Sequence, residues 1–163
     1  MDGKQSSTNK TGYSIQEEPF TAELYDEVYP TLIEHWEEVA EDQDKIKMNP
    51  DEGTYHLMAE SKSLHCLVCR YEGKVVGYLV TFFIHNPHYK DHLYAQNDIF
   101  FLHPDHRKGL LGYRMIKEHE RMMKEKGVSI IMYHTKAKRS FGPLLERFGH
   151  HLSEYTYRKY IGD

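Results

Sequence analysis

The stretch Asp98-Ile99-Phe100-Phe101-Leu102-His103-Pro104-Asp105-His106-Arg107-Lys108-Gly109-Leu110-Leu111-Gly112 decides how this chain reads. Its first part is a run of large apolar residues, short enough for a core strand. His103-Pro104-Asp105 breaks that run, and an amphipathic pattern then predicts a long helix over residues 107–126, stopped by Gly127. Glycines and cations sit at the junction. Glycine lets a backbone approach a ligand, unpaired amides at a helix start point outward, and the helix dipole adds about half a positive charge there. With the full charges of Arg107 and Lys108, the junction is an anion site in outline, suited to a pyrophosphate. A plain helix start has the same composition, so the glycine pair alone does not decide between them.

Just upstream, Gln96, Asn97 and Asp98 put polar groups in the middle of a strand predicted over residues 93–102. Strict alternation gives Gln96, Asp98 and Phe100 one face and Asn97 and Ile99 the other. A carboxylate in such surroundings is costly unless it is paired or functional. Further out, alternation predicts strands over 13–16 and 154–161, β-branched and aromatic residues predict a hairpin of 64–71 and 74–84 with Glu72-Gly73 as its turn, and 128–134 reads as a further strand. Thr21 caps a helix that Pro30 should reset, giving a second helix over 31–40 with Leu32, Trp36 and Val39 inward. Short helices are predicted over 55–60 and 140–148. This order is that of an α/β domain whose mixed sheet carries helices on both faces.

The chain has 163 residues, 39% of them hydrophobic, which predicts one domain with an ample core. Residues 1–12 are polar and are expected to form a disordered arm before a single domain over 13–163. A formal charge of −4 disfavours nucleic acid as the main partner. No apolar run is long enough to span a membrane, and the N-terminus lacks the apolar core of a signal peptide, so a cytoplasmic protein without a membrane partner is expected. Cys66 and Cys69, three apart on a strand, should face opposite sides and read as buried thiols. His85, His88 and His92 match no helix-borne ligand spacing, so no metal is expected.

The run from Ile99 to Ile116 resembles the acetyl-coenzyme A motif of the Gcn5-related N-acetyltransferases, in which a hydrophobic strand end and P-x-x-R precede a glycine loop whose amides hold a pyrophosphate. The element order is similar too, and Leu144-Leu145-Glu146-Arg147-Phe148-Gly149 resembles the family's F-Y-E-K-L-G-F ending. Residues 94–106 are more loosely similar to small acetyltransferases of bacteria and phages. The resemblance implies a single domain with a mixed, mostly antiparallel sheet of six to seven strands. It implies an N-acetyltransferase that moves an acetyl group from acetyl-coenzyme A to a primary amine by direct attack in a ternary complex, and it leaves a homodimer open. Ile99, Phe100, Phe101, Leu102, Arg107, Lys108, Gly109, Leu110, Leu111, Gly112 and Tyr113 are the residues implied to hold the donor. The sequence departs from the pattern at two points: the first glycine, Gly109, comes one place early, and Leu145 stands where a tyrosine is usual.

An ammonium must lose a proton before it attacks a thioester, so a base is required. Asp98, desolvated by Phe100 and Tyr94, is the first candidate and His134 the second. With Leu145 unable to act as an acid, the departing thiolate is left to Tyr133, His134 or solvent, or needs no acid. The resemblance also implies a bulge in the strand over 98–102, whose freed amide would meet the charge developing on the thioester oxygen. Trp36, His88, Tyr89, Gln96 and Asn97 are candidates for contact with the acceptor, and acidic residues including Glu37, Glu38 and Glu41 would draw a cationic one. Alternatives that keep the fold are a non-catalytic acyl-coenzyme A binder, another acyl donor or a modified nucleobase acceptor. A protein-interaction module using the final strand as an edge is a further one.

Overall fold

A computed structural model describes residues 12–162; the arm expected over residues 1–12 lies outside the described residues except for Gly12. The elements are β1 (Tyr13–Glu17), α1 (Ala22–Val39), α2 (Glu52–Glu60), β2 (Leu64–Tyr71), β3 (Lys74–His85), β4 (Leu93–Leu102), α3 (Leu111–Glu125), β5 (Val128–Met132) and α4 (Gly142–Glu146), with a 3-10 turn at Pro104–His106. Thr21 caps α1 by accepting from the Leu24 amide, and Asp51 caps α2 from Thr54. Glu72 and Gly73 join β2 to β3 with φ of 49° and 84°, the two left-handed residues that a tight hairpin turn demands.

The strands form one sheet in the order β1-β2-β3-β4-β5. The first three pairings are antiparallel and β5 runs parallel to β4, which requires a crossover that α3 supplies. On one face His35 of α1 reaches the Tyr78 hydroxyl at 3.2 Å and lies against Phe101. On the other face Leu111 and Met115 of α3 pack with Leu67, Cys69, Leu79 and Leu102. Helices therefore cover both faces, because neighbours such as Tyr78 and Leu79 point opposite ways along a strand. Cys66 and Cys69 are free and buried, and burial pushes their thiols up to about 12 and about 11.

Three expectations are corrected. The described residues form five strands instead of six to seven, because residues 154–161 pair with nothing in the sheet. Alternation becomes a strand only where an edge can be paired, and Arg158 instead bonds Glu41 and Asp42 beyond the end of α1. Pro30 does not divide α1, which is continuous through it. The amide that proline lacks would have bonded the Asp26 carbonyl, and both residues are exposed, so losing that one bond on the solvent side costs little while packing on the sheet holds the helix. Finally, α3 begins at Leu111 and not at residue 107, since the 3-10 turn and a left-handed Gly109 take up the residues between.

Candidate active site

The parallel ladder between β4 and β5 stops at Gln96 and Met132. From Asn97 onward β4 stays paired with β3 on one edge only, so the strands part and peptide groups along residues 98–102 lose a strand partner on the β5 side. Asn97 fills the crotch. Its side-chain oxygen accepts from the His134 amide and its nitrogen donates to the His134 carbonyl at 3.2 Å, replacing the next rung of the ladder. Asn97 is buried and committed to this bridge, so the expected contact with an acceptor gives way to an architectural role.

Beyond the crotch a cleft of about 740 Å³ opens between β4, the start of α3 and the segment leading into α4. Phe100, Phe101, Leu102 and Phe141 make its apolar part, and Arg107, Gly109, Leu110, Gly112 and Tyr113 line the loop side. Unlike α1 and α2, α3 has no side-chain cap. Its first backbone bond is Arg114 N–H to the Leu110 carbonyl, which leaves the amides of Leu111, Gly112 and Tyr113 for an anion. Gly109 holds φ at 85°, a conformation that costs a residue with a side chain about 1–2 kcal/mol. Lys138, Arg139 and Arg147 also line the cleft, so four cations face a single carboxylate, Glu38. That carboxylate takes both Arg107 guanidinium nitrogens at 2.7 and 2.6 Å and Arg139 at 3.2 Å, while Arg107 Nε donates to the Leu102 carbonyl.

Not every expected donor-binding residue faces this cleft. Leu111 is turned into the core, Lys108 is exposed outside the cleft lining, and Ile99 faces a separate cavity under α1. The sequence reading missed Lys138, Arg139 and Arg147; the run Lys136-Ala137-Lys138-Arg139 was the available signal, but nothing local says that it folds over the glycine loop.

Asp98 is the extra residue of a bulge: Val80 pairs with Ile99 and Thr81 with Asn97, so Asp98 has no opposite number. The bulge resets the alternation. Asp98 and Ile99 both lie toward α1 and α2, whereas Phe100 packs with Leu111 and Met115 on the far face, which corrects the expected grouping of Asp98 with Phe100. The neighbour that matters is Tyr55 of α2, whose hydroxyl donates to Asp98 Oδ2 at 2.6 Å. Burial pushes the Asp98 carboxyl above its ordinary range, and the Tyr55 bond draws it partly back. Gln96 shares this side, opposite Phe82, which packs on Tyr55, and its amide lies 3.4 Å from His134 Nδ1. His134 itself is exposed.

Tyr133 is differently placed. Its hydroxyl meets Nδ1 of the fully buried His119 at 2.7 Å, and His119 Nε2 meets Thr81 Oγ1 at 2.8 Å. Burial pushes His119 down to about 3, so the ring is neutral and both nitrogens are satisfied. His88 and Tyr89 lie exposed in the β3–β4 connection, at the opposite end of β4 from the cleft, with Tyr89 stacked on Tyr94. Trp36 is half-buried on α1 and belongs to neither cleft nor cavity. The acidic side chains expected to draw an acceptor are mostly spoken for, Glu38 by Arg107 and Arg139 and Glu41 by Arg158.

The model of a protein family described as Acetyltransferase (GNAT) family matches residues 15–142. Similar solved structures include a ribosomal-protein-alanine N-acetyltransferase from Brucella melitensis biovar Abortus 2308, at 17% identity and a TM-score of 0.69 over 92% of this chain and 99% of that one. Another is an aminoglycoside acetyltransferase from an uncultured soil metagenomic sample in complex with sisomicin, at 12% identity and a TM-score of 0.70 over 93% and 96%. A third is a predicted acetyltransferase with acetyl-CoA from Clostridium acetobutylicum, at 12% identity and a TM-score of 0.67 over 91% and 96%. At these identities the likeness is one of fold. No curated protein matches the sequence.

Proposed function

Because the chain belongs to the GNAT acetyltransferase family, we propose that it transfers an acetyl group from acetyl-coenzyme A to a primary amine, with both bound together and the amine attacking directly. The observation that carries this reading is the uncapped start of α3 behind a left-handed Gly109, opening into a cleft that holds four cations. Free amides and guanidinium groups at that end fit a diphosphate. The unpaired edge of β4 fits the amide-bearing arm that follows it, and the arm would bring its thioester toward the bulge. Leu102 and Asp98 are four residues apart, roughly 13 Å along a strand.

Asp98 is the base in this reading. Its half-buried carboxyl, already raised, takes a proton from the acceptor ammonium directly or through a water. His134, exposed beside Gln96, is the second candidate. The bulge leaves a β4 peptide N–H to meet negative charge on the thioester oxygen. The thiolate departs without a dedicated acid: Leu145 is buried, the Tyr133 hydroxyl is taken by His119, and a thiol of ordinary pKa near ~8.5 is a tolerable leaving group.

The test is calorimetric titration with coenzyme A and acetyl-coenzyme A, followed by thiol release over an amine panel. Binding with turnover is expected, and Asp98→Asn should bind the donor normally while losing turnover at neutral pH. Absence of binding at millimolar coenzyme A would end the reading. Binding without turnover of any amine would favour a non-catalytic acyl-coenzyme A binder.

A further inference from the structure

A second, separate space lies along α1 from the cleft proposed to hold the donor. Along α1 the cleft touches His35, Glu38 and Val39, and the preceding turns of the same helix, with Leu24, Val28 and Leu32, roof a second space over β2, β3 and β4. Along β4 the cleft ends at Phe100, and the second space begins at Ile99, immediately beside Asp98. Tyr55 belongs to both the wall of this space and the hydrogen bond to Asp98, so the carboxylate stands at its edge.

The walls have one character. Phe20, Tyr25, Val28, Leu32, Tyr55 and Ile99 surround a volume of about 60 Å³, and the rings of Phe20 and Tyr55 stack at 5.6 Å. Tyrosine and cysteine are the ionisable residues among those walls, and neither is charged at neutral pH. An ammonium at Asp98 would therefore find its counter-charge, while a second ammonium a few carbons away would be desolvated with nothing to pair it. A cavity of roughly 150 Å³ takes the six carbons of benzene, so 60 Å³ takes about two carbons beyond the one bearing the amine.

From this we infer that the cavity beneath α1 is the acceptor pocket and that it selects monoamines with a short, uncharged aliphatic body over diamines and polyamines. The inference rests on the proposed role of Asp98, and it replaces the expectation that an acidic surface draws a cationic acceptor. The β4 bulge is what makes the pocket work, since it places the carboxylate and the apolar Ile99 on the same side of the strand.

The experiment measures kcat/KM for methylamine, ethylamine, propylamine, butylamine and hexylamine with acetyl-coenzyme A, and for propane-1,3-diamine as the isostere of butylamine. Each buried methylene should raise kcat/KM about fourfold, so propylamine should exceed methylamine roughly 15-fold before the series levels off. Butylamine should exceed the diamine by at least tenfold. Val28→Phe should fill the pocket and collapse the propylamine-to-methylamine ratio toward one. Val28→Ala, which keeps the helix and only enlarges the space, should carry the optimum to a longer amine. These readouts are ratios, so a partial loss of folded protein does not disturb them. A flat wild-type series, a diamine equal to butylamine, or Val28 variants with unchanged ratios would each overturn the inference. So would the absence of turnover with every monoamine, and calorimetry with coenzyme A on the same sample then shows whether the donor reading falls too.

Discussion

Glu38→Gln is predicted to tighten the binding of coenzyme A. The Glu38 carboxylate holds both terminal nitrogens of Arg107 and one of Arg139, two of the cations lining the cleft beside Gly109. A diphosphate that uses Arg107 must first displace this internal anion. The Arg107 and Glu38 side chains are 40% and 19% exposed, so solvent screens much of the attraction despite its two-bond geometry, and about 1 kcal/mol is a fair strength for it. Removing that competition corresponds to about a fivefold lower Kd. Calorimetric titration with coenzyme A reads it directly. The gain should fade toward 1 M salt, where the screening length is only ~3 Å. Denaturant unfolding of the unliganded variant should move the other way, because a pair has been lost. Unchanged or weaker binding would refute the reasoning and make Glu38 a scaffold that aims Arg107 instead of a stand-in for phosphate.

Tyr55→Phe removes the donor that lowers the Asp98 carboxyl, so that carboxyl should rise further and the acid limb of the pH–kcat/KM profile should shift to higher pH; a profile with an unmoved limb would dissociate Asp98 from the rate. Tyr133→Phe should cost about 1–2 kcal/mol in urea unfolding by stranding a buried His119 nitrogen. Its turnover should stay within a few-fold of wild type, whereas a collapse of kcat would make Tyr133 the missing acid. Burial pushes His119 and His35 down to about 3 and about 4 from an ordinary 6.5. Protons then bind the unfolded chain preferentially below pH 6.5, and stability falls as pH drops through that window, on the order of 2 kcal/mol per histidine by pH 5. An unfolding midpoint that is level from pH 7 to pH 5 would refute this, and His119→Gln should flatten part of the slope.

Local chemistry made much of the fold legible. The Glu72-Gly73 turn, the Thr21 cap and the apolar, β-branched and aromatic runs of residues 64–71 and 93–102 carry their own instructions, and the turn, the cap and the two strands appear where those instructions put them. Residues 154–161 carry an alternating pattern without becoming a strand, because pairing is a property of an available edge and not of the segment. Pro30 gave a local stop signal that packing overrode at an exposed position. Tyr55 escaped notice entirely: nothing in the run Thr54-Tyr55-His56 announces that its hydroxyl will meet a carboxylate forty-three residues away.

The sequence by itself determined an α/β domain with a hairpin, a glycine-bearing strand-to-helix junction and a polar patch ahead of it, since caps, turns and periodicity act within a few residues. Tertiary structure alone decided which side of β4 Asp98 faces, that Asn97 spans the parting strands, and that cations from residues 138, 139 and 147 converge on the glycine loop. A bulge is a mismatch between two strands, and a cleft is a meeting of segments distant in the chain; neither exists until the sheet has formed.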